Sequence, residues 1–589
     1  MKWLRNPRVE LMRFLELKKN LKRDYSGMKM LRVAVLGDSA TQLLVQAVRG
    51  YGFEAHLDLQ IFEADYDQID RQIMDLSSDL YSFQPEYVFL SITAPKLLKK
   101  FYGTKISRRA QFSLEEADRI RVLVGQLNRN IHRVKIILGN FMEINDSVFG
   151  QYANKAPASF LYQVRRLNGE LMTLAERTKN LFICDIAALT AEFGQNASVD
   201  NRNRIEADMA FSLDFLPCLA KAVVDIIQAI SGTAKKCLVL DLDNTVWGGV
   251  LGDDGVENIQ VGYLGQGKAF TELQYWAKEL KQRGILIAVC SKNDESVAKV
   301  PFEMHEDMVL SLDDIAIFVA NWDSKVDNIK RIKSFLNIGY DAMVFVDDNP
   351  YERGVVRHHL PEVCVPELPE DPSDYLPFLR SLNLFETASY TEEDGQRTAH
   401  FQQELKREQV QKAFTDERGF LQSLGMTAQI DPIEKFNIPR VAQLIQRSNQ
   451  FNLRTIRYTE EDLSRLGSSP QHLTKAVSIR DQFGNYGLIS AIIGEYRANE
   501  LFIDTWVMSC RVLKRGVEYL VLNDLAATAA RRGTKRIVGE FCPTRKNALV
   551  KDHYQNLGFS DAGDGLWTLE IEDFLPREHF ITALNSELV

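Results

Sequence analysis

Two carboxylates two positions apart, Asp241 and Asp243 in LVLDLDNT, close an apolar run in this 589-residue chain. One carboxylate can attack phosphorus and carry the phosphoryl group as an aspartyl phosphate; a second beside it can protonate the leaving group and then activate water. An Asp at a strand end is ordinarily a solvated turn residue or a helix cap, so the pair by itself decides little. Further features follow it in order. LIAVCSKND brings Ser291 to the end of a second apolar run, NWDSKVDNI supplies Lys325, and MVFVDDN ends another run on Asp347 and Asp348. A hydroxyl and backbone N–H groups can bind non-bridging phosphate oxygens. So many carboxylates beside a phosphate repel it, and Mg²⁺ with a lysine would hold such a site together.

These residues need elements that bring them to one place. CLVLDLD, ILIAVCS, IAIFVA and AMVFVDD are short apolar runs separated by helical periods, which predicts a parallel sheet with both faces covered. In an open α/β sheet the carboxyl ends of such strands meet at a crevice where ligands bind. Asp243 and Ser291 are only 48 positions apart, and a Gly-rich hairpin and one helix use nearly all of them. The site therefore has no sizeable lid of its own, which suits a macromolecular substrate or one sealed by a neighbouring unit. Trp247 in the hairpin either gates the site or packs the hairpin.

Before this stretch, RVAVLGDS, YVFLSI, KIILGN and LFICDI read as strands alternating with helices such as TQLLVQAVRGYG. After it, AVSIRD, GLISAIIG and LFIDTWVM are close enough for an antiparallel meander. A helix in VLKRGVEYLVLNDLAATAARR, a strand in RIVGEF and a helix in ALVKDHYQNLG follow. The chain thus divides into a helix at 1–30, an α/β domain at 31–231, the domain carrying the acidic motifs at 232–380, a helical connector at 381–425 and an α+β domain at 426–589.

The ordered motifs resemble those of the haloacid dehalogenase (HAD) superfamily, DxDx[TV] followed by a Ser/Thr, a Lys and an acidic pair. The resemblance implies Asp241 as nucleophile and Asp243 as general acid/base, with phosphate held by Ser291, Lys325, Asn244 and Thr245. Asp241, the backbone carbonyl of Asp243, Asp347 and Asp348 would hold Mg²⁺. Lys292 and Lys330 are rival cations, but Lys325 sits in the better motif match. The longer strings DLDNTVWGGVLGDDG, SKNDE, WDSKVDNI and FVDDNPYERG resemble the FkbH-like proteins, HAD subfamily IIIC, as do SNQFNLRTIRY and DQFGNYGLIS. The resemblance implies a multidomain α/β fold with a Rossmann-like HAD sheet at its centre. It leaves two acceptors open. Water would make the chain a phosphohydrolase of a phosphorylated small metabolite. An acyl-carrier protein thiol would make it a glyceryl transferase that draws on a phosphorylated glycerate through an enzyme thioester. Cys290 and Cys510 are the candidate thiols. The string VAVLGDSATQLL resembles the nucleophile block of SGNH hydrolases, with Ser39 on the strand-to-helix turn and an Asn in LGNF, but DMAFSLDF carries no His to serve as base. NALVKDHYQNLGF resembles the last motif of GNAT acyltransferases, and Arg511, Arg515 and Gly516 would form its pantetheine or CoA loop at a helix N-terminus.

Composition excludes other classes. There are 71 Lys and Arg against 80 Asp and Glu, so the net charge of −9 gives no basis for nucleic-acid binding. No apolar stretch reaches the roughly 20 residues a membrane helix needs. Seven Cys without C-x₂-C spacing read as reduced thiols of a cytoplasmic protein rather than a zinc site.

Overall fold

The computed structural model describes residues 7–390, 397–399, 401–403, 416–448, 450–509, 512–544 and 546–584. It divides into two units, Met1–Ile230 and Ser231–Val589. The first is built on five parallel strands: β1 (Lys29–Gly37), β2 (Leu57–Glu63), β3 (Tyr87–Ser91), β4 (Lys135–Gly139) and β5 (Leu181–Cys184), in the order β2-β1-β3-β4-β5. The four interior and far-edge strands are the apolar runs expected. The remaining edge strand β2, LDLQIFE, was not, because one of its faces stays partly open and its polar residues break the apolar run. The helix Pro7–Asn20 belongs to this unit. It buries Phe14 and Leu17, and a Cβ on Gly50 of the helix Gln42–Glu54 would lie 2.5 Å from the Leu17 carbonyl oxygen. The two helices touch backbone to backbone.

The second unit holds two sheets. The four-stranded one contains β6 (Cys237–Leu240), β7 (Leu286–Ser291), β8 (Ile315–Ala320) and β9 (Met343–Val346), all parallel, in the order β8-β7-β6-β9. The chain lays β7 and β8 on one side of β6 and then returns to place β9 on the other. That reversal makes a topological switch point at the carboxyl end of β6. Side chains alternate between two apolar layers. Leu238, Leu240, Val289 and Val346 face the helix Gly267–Gln282 with its Phe270 and Leu273. Val239, Cys290 and Phe345 face the helices Lys325–Leu336 and Pro350–His359 through Ile329, Ile332 and Val356. Both faces are covered, which is why these strands are apolar throughout.

The other sheet has eight strands: β10 (Met426–Asp431), β11 (His472–Asp481), β12 (Gly484–Arg497), β13 (Glu500–Met508), β14 (Arg536–Glu540), β15 (Ser560–Gly563), β16 (Leu566–Glu570) and β17 (Ile581–Ala583). β11–β13 form the expected antiparallel meander, and β14 joins β13 in parallel after the helix Val517–Arg531. The helix expected in ALVKDHYQNLG is reduced to two short turns, Ala548–Val550 and His553–Asn556, and the chain then enters the β15–β16 hairpin. Among the described residues no helix is long and apolar enough to cross a membrane.

β13 and β14 pair only over 500–503 and 536–539. Beyond that the chain fills the fork with its own residues 451–454. Met508 N donates to Phe451 O at 3.3 Å and Cys542 N to Leu453 O at 2.8 Å. Arg454 joins Asp504 of one branch (2.6 Å) to Glu540 of the other (2.5 Å). Behind this plug His553 is buried edge-on against Phe451 and Trp506, with ring centroids 4.8 and 4.7 Å away, and its Nε2 has no hydrogen-bond partner.

Burial pushes the His553 imidazole from 6.5 down to about 3. Between those values the unfolded chain binds a proton and the folded one does not, so stability falls as the pH is lowered through that window, by about 1.4 kcal/mol per unit for this group. His553→Phe should therefore lose less stability than the wild type between pH 6.5 and 4.5 in urea unfolding. Parallel curves for the two proteins would rule out this imidazole as a source of acid sensitivity.

Candidate active site

β6 and β9 run side by side, and Asp241 N still donates to Val346 O at 3.0 Å, so Asp241 and Asp347 leave adjacent strand ends. The chain then turns tightly, with the Thr245 and Val246 N–H groups both donating to Leu242 O (3.1 and 2.8 Å). Asn244 takes the left-handed conformation this turn requires (φ 52°), which Asn tolerates better than most residues, and its side-chain oxygen accepts Gly249 N at 2.9 Å. Thr245 is fully buried and its hydroxyl accepts Asp348 N at 3.1 Å. Asn244 and Thr245, expected to bind phosphate, are thus engaged otherwise. Asn244 shapes the loop after β6, and Thr245 ties that loop to the one after β9.

Asp241, Asp347 and Asp348 each bring a carboxylate oxygen within 4.8 Å of the others. Lys325, 3% exposed, starts its helix beneath them and places Nζ 2.9 Å from Asp241 Oδ2 and 2.5 Å from Asp347 Oδ2. Three carboxylates against one ammonium leave two negative charges uncompensated, the deficit that a divalent cation would fill. A second observation fits the same group: Asp241 Oδ1 is buried without any hydrogen-bond partner. Burial, only partly countered by Lys325, pushes Asp241 up to about 6. Burial and the neighbouring Asp241 do the same for Asp348, also to about 6, and burial raises Asp347. Burial disfavours the Lys325 ammonium, but the two carboxylates outweigh it and hold its pKa above the usual lysine value. The rival cations are engaged elsewhere, Lys292 with Glu352 (2.6 Å) and Lys330 with Asp327 (2.9 Å). Arg353 donates to the carbonyls of Asp347 and Asp348, at 2.8 and 2.6 Å, and pairs with Glu367 at 2.5 Å, and so braces the acidic loop.

Ser291 ends β7 buried, its Oγ 3.3 Å from Asn293 Nδ2. Asp243 has a different environment. Its carboxylate is not part of the triple cluster and instead accepts Trp247 Nε1 (2.9 Å), Leu251 N (3.1 Å) and Asn293 Nδ2 (2.9 Å). Trp247 is fully buried against Phe302, so it packs the hairpin and does not gate the site. Asn293 had not been singled out from the sequence. The signal was present, because a residue two positions beyond Ser291 emerges on the same side of an extended chain.

The family of FkbH N-terminal domains matches residues 32–228. A solved structure of the N-terminal part of protein BF1531 from Bacteroides fragilis, containing a phosphatase domain and complexed with Mg, is 50% identical. It covers 64% of this chain and 99% of its own, with a TM-score of 0.62. The chain belongs to the FkbH-like family. The ribosomal-protein-S18-alanine N-acetyltransferase from Escherichia coli is 16% identical over 25% of this chain and 99% of its own, with a TM-score of 0.20. Among curated proteins none matches the sequence.

The other expected residues of this FkbH-like chain fall outside the crevice. Cys290 precedes Ser291 on β7, so strand alternation that sends Ser291 into the site sends Cys290 to the opposite face. There it is fully buried, 3.8 Å from Lys325 O, and burial pushes its thiol well above the usual range. A thioester at Cys290 is incompatible with that placement. Cys510 and Arg511 lie outside the described residues. Arg515 turns inward, with its guanidinium donating to Tyr486 OH and lying 4.0 Å from Asp481, so it faces the sheet and not a pyrophosphate. Gly516, at φ 79°, opens the helix Val517–Arg531. In the first unit Ser39 follows β1 buried. Asp38 beside it is occupied by Thr93 N and Oγ1 at 2.9 and 2.8 Å, and Asn140 by Asp185 at 2.7 Å and Ala187 N at 2.9 Å. The segment without His does reach this turn, where Asp208 O accepts Ala40 N at 3.1 Å, but the Asp208 carboxylate pairs with Lys96 at 2.5 Å. Among the described residues no His is presented to Ser39.

Lys325→Met should leave Asp241 and Asp347 buried without a cation, a change that costs about 3–5 kcal/mol at a buried pair. In EDTA the unfolding midpoint of the variant should fall well below that of the wild type, and Mg²⁺ should raise it more than it raises the wild type's. An unchanged midpoint in EDTA would mean that Lys325 does not hold these carboxylates together.

Proposed function

We propose that this crevice is a HAD-type phosphoryl-transfer site acting on a phosphorylated small molecule, with Asp241 as nucleophile. The observation that supports it most is Asp241 itself: a carboxylate pinned through Oδ2 to Lys325 with Oδ1 unpartnered, at a topological switch point beside Ser291 and the acidic pair. In this reading a carboxylate oxygen of Asp241 attacks phosphorus as the bond to the leaving oxygen breaks, and an aspartyl phosphate forms. Lys325 and the Ser291 hydroxyl hold the non-bridging oxygens. Asp243 gives its proton to the departing oxygen and then takes one from the water that attacks the aspartyl phosphate, releasing phosphate and restoring Asp241. Asp241, Asp347 and Asp348 are the residues that would hold Mg²⁺, the ion carried by the Bacteroides fragilis structure. Mg²⁺ there would neutralise charge as the phosphoryl group transfers.

The second reading is transfer of a glyceryl or acyl unit to a carrier-protein thiol, and the FkbH family match over residues 32–228 favours it. It needs an accessible thiol, which Cys290 does not offer, so Cys510 is its remaining candidate. Intact-protein mass after incubation with 1,3-bisphosphoglycerate separates the readings, since a mass increase lost in Cys510→Ala would select transfer. In both readings Asp241→Asn should reduce Mg²⁺-dependent phosphate release at least about a thousandfold. Phosphate release by Asp241→Asn at the wild-type rate would sink both readings.

A further inference from the structure

Asp243 is held by three donors from two separate segments. Trp247 Nε1 and Leu251 N donate to Oδ1 from the hairpin after β6, and Asn293 Nδ2 donates to Oδ2 from the loop after β7. Oδ1 thus has both lone pairs engaged, whereas Oδ2 keeps one to carry a proton. The donors are themselves fixed. Trp247 is fully buried with its ring edge-on to Phe302 at 5.8 Å. The turn before it is tied down by Gln274, which donates to Val246 O at 2.9 Å and accepts Val309 N and Leu310 N at 2.9 and 3.1 Å. Asn293 is 6% exposed, and its amide also lies 3.3 Å from Ser291 Oγ. The Asn293 amide turns its nitrogen end to Asp243 and so donates to Oδ2.

We propose that Trp247 and Asn293 are positioning residues for Asp243, and that Asn293 couples it to Ser291, which in the phosphoryl-transfer reading grips the phosphate. The proposal rests on that reading. Fixing the carboxylate leaves Oδ2 as its working oxygen. The proton leaves Oδ2 for the departing oxygen as the P–O bond breaks, and a water proton returns there in the second step. Preset geometry of this kind spares the reaction the search for a productive orientation. One amide spanning both side chains means that phosphate binding and proton delivery are set by the same loop.

The test uses the full chain with Mg²⁺ and two aryl esters. Phenyl phosphate has a poor leaving group that needs a proton, whereas 2,4-dinitrophenyl phosphate has one that does not. Asn293→Ala, and Trp247→Phe with its folding checked by unfolding midpoint, should each lower kcat on phenyl phosphate about tenfold more than on the dinitrophenyl ester. In Trp247→Phe that loss should leave KM unchanged. Equal losses on both esters in Asn293→Ala, while Asp241→Asn is inactive on both, would overturn the positioning role and leave phosphoryl transfer standing. Turnover retained by Asp241→Asn, or a wild type inactive on both esters, would overturn the underlying reading as well.

Discussion

The ammonium of Lys325, enclosed between Asp241 and Asp347, is the contact on which the rest of the site depends. Burying one carboxylate is costly, and burying several together is possible only with cations and fixed donors among them. The surroundings follow from that cost. The carbonyls of the acidic loop are braced by the Arg353 guanidinium, and the backbone of Asp348 is tied to the Thr245 hydroxyl. Even so, burial keeps the Asp241, Asp347 and Asp348 carboxyls above the usual range despite the lysine. The site's own residues leave it under-neutralised, a deficit of the kind a divalent cation would fill.

Strand order supplies the geometry. Because β9 returns to the free side of β6, Asp241 and Asp347 emerge next to each other despite being more than a hundred positions apart in sequence. β7 on the other flank delivers Ser291 and, two residues later, Asn293. The apolar layers on both faces fix these strand ends, so the polar residues sit on a rigid base and the hairpin carrying Trp247 folds down onto it.

The remaining sheets treat their polar groups differently. In the eight-stranded sheet the fork between β13 and β14 is closed by residues 451–454, and Arg515 is turned into the interior. At the end of β1 in the first unit, Asp38, Asn140 and Asp208 are each held by structural partners. In both places groups that might have faced a ligand satisfy the fold. At the end of β6, by contrast, Asp241 Oδ1 is a buried carboxylate oxygen that stays unpartnered.

Local patterns were enough to determine much of this protein. Continuous apolar runs announced the strands buried on both faces and those of the meander, and motif order alone named Asp241, Asp243, Ser291, Lys325 and the acidic pair. The edge strand β2 and the short strands β15–β17 escaped, because strands this open or this short lack the continuous apolar signal. Tertiary structure alone decided what each polar group does. It set Asn244 and Thr245 to loop construction, sent Cys290 to the far face and gave Asp243 the partners Trp247 and Asn293. Residue type determines which hydrogen bonds a side chain can make. Which ones it does make depends on neighbours that the chain brings from far away in sequence.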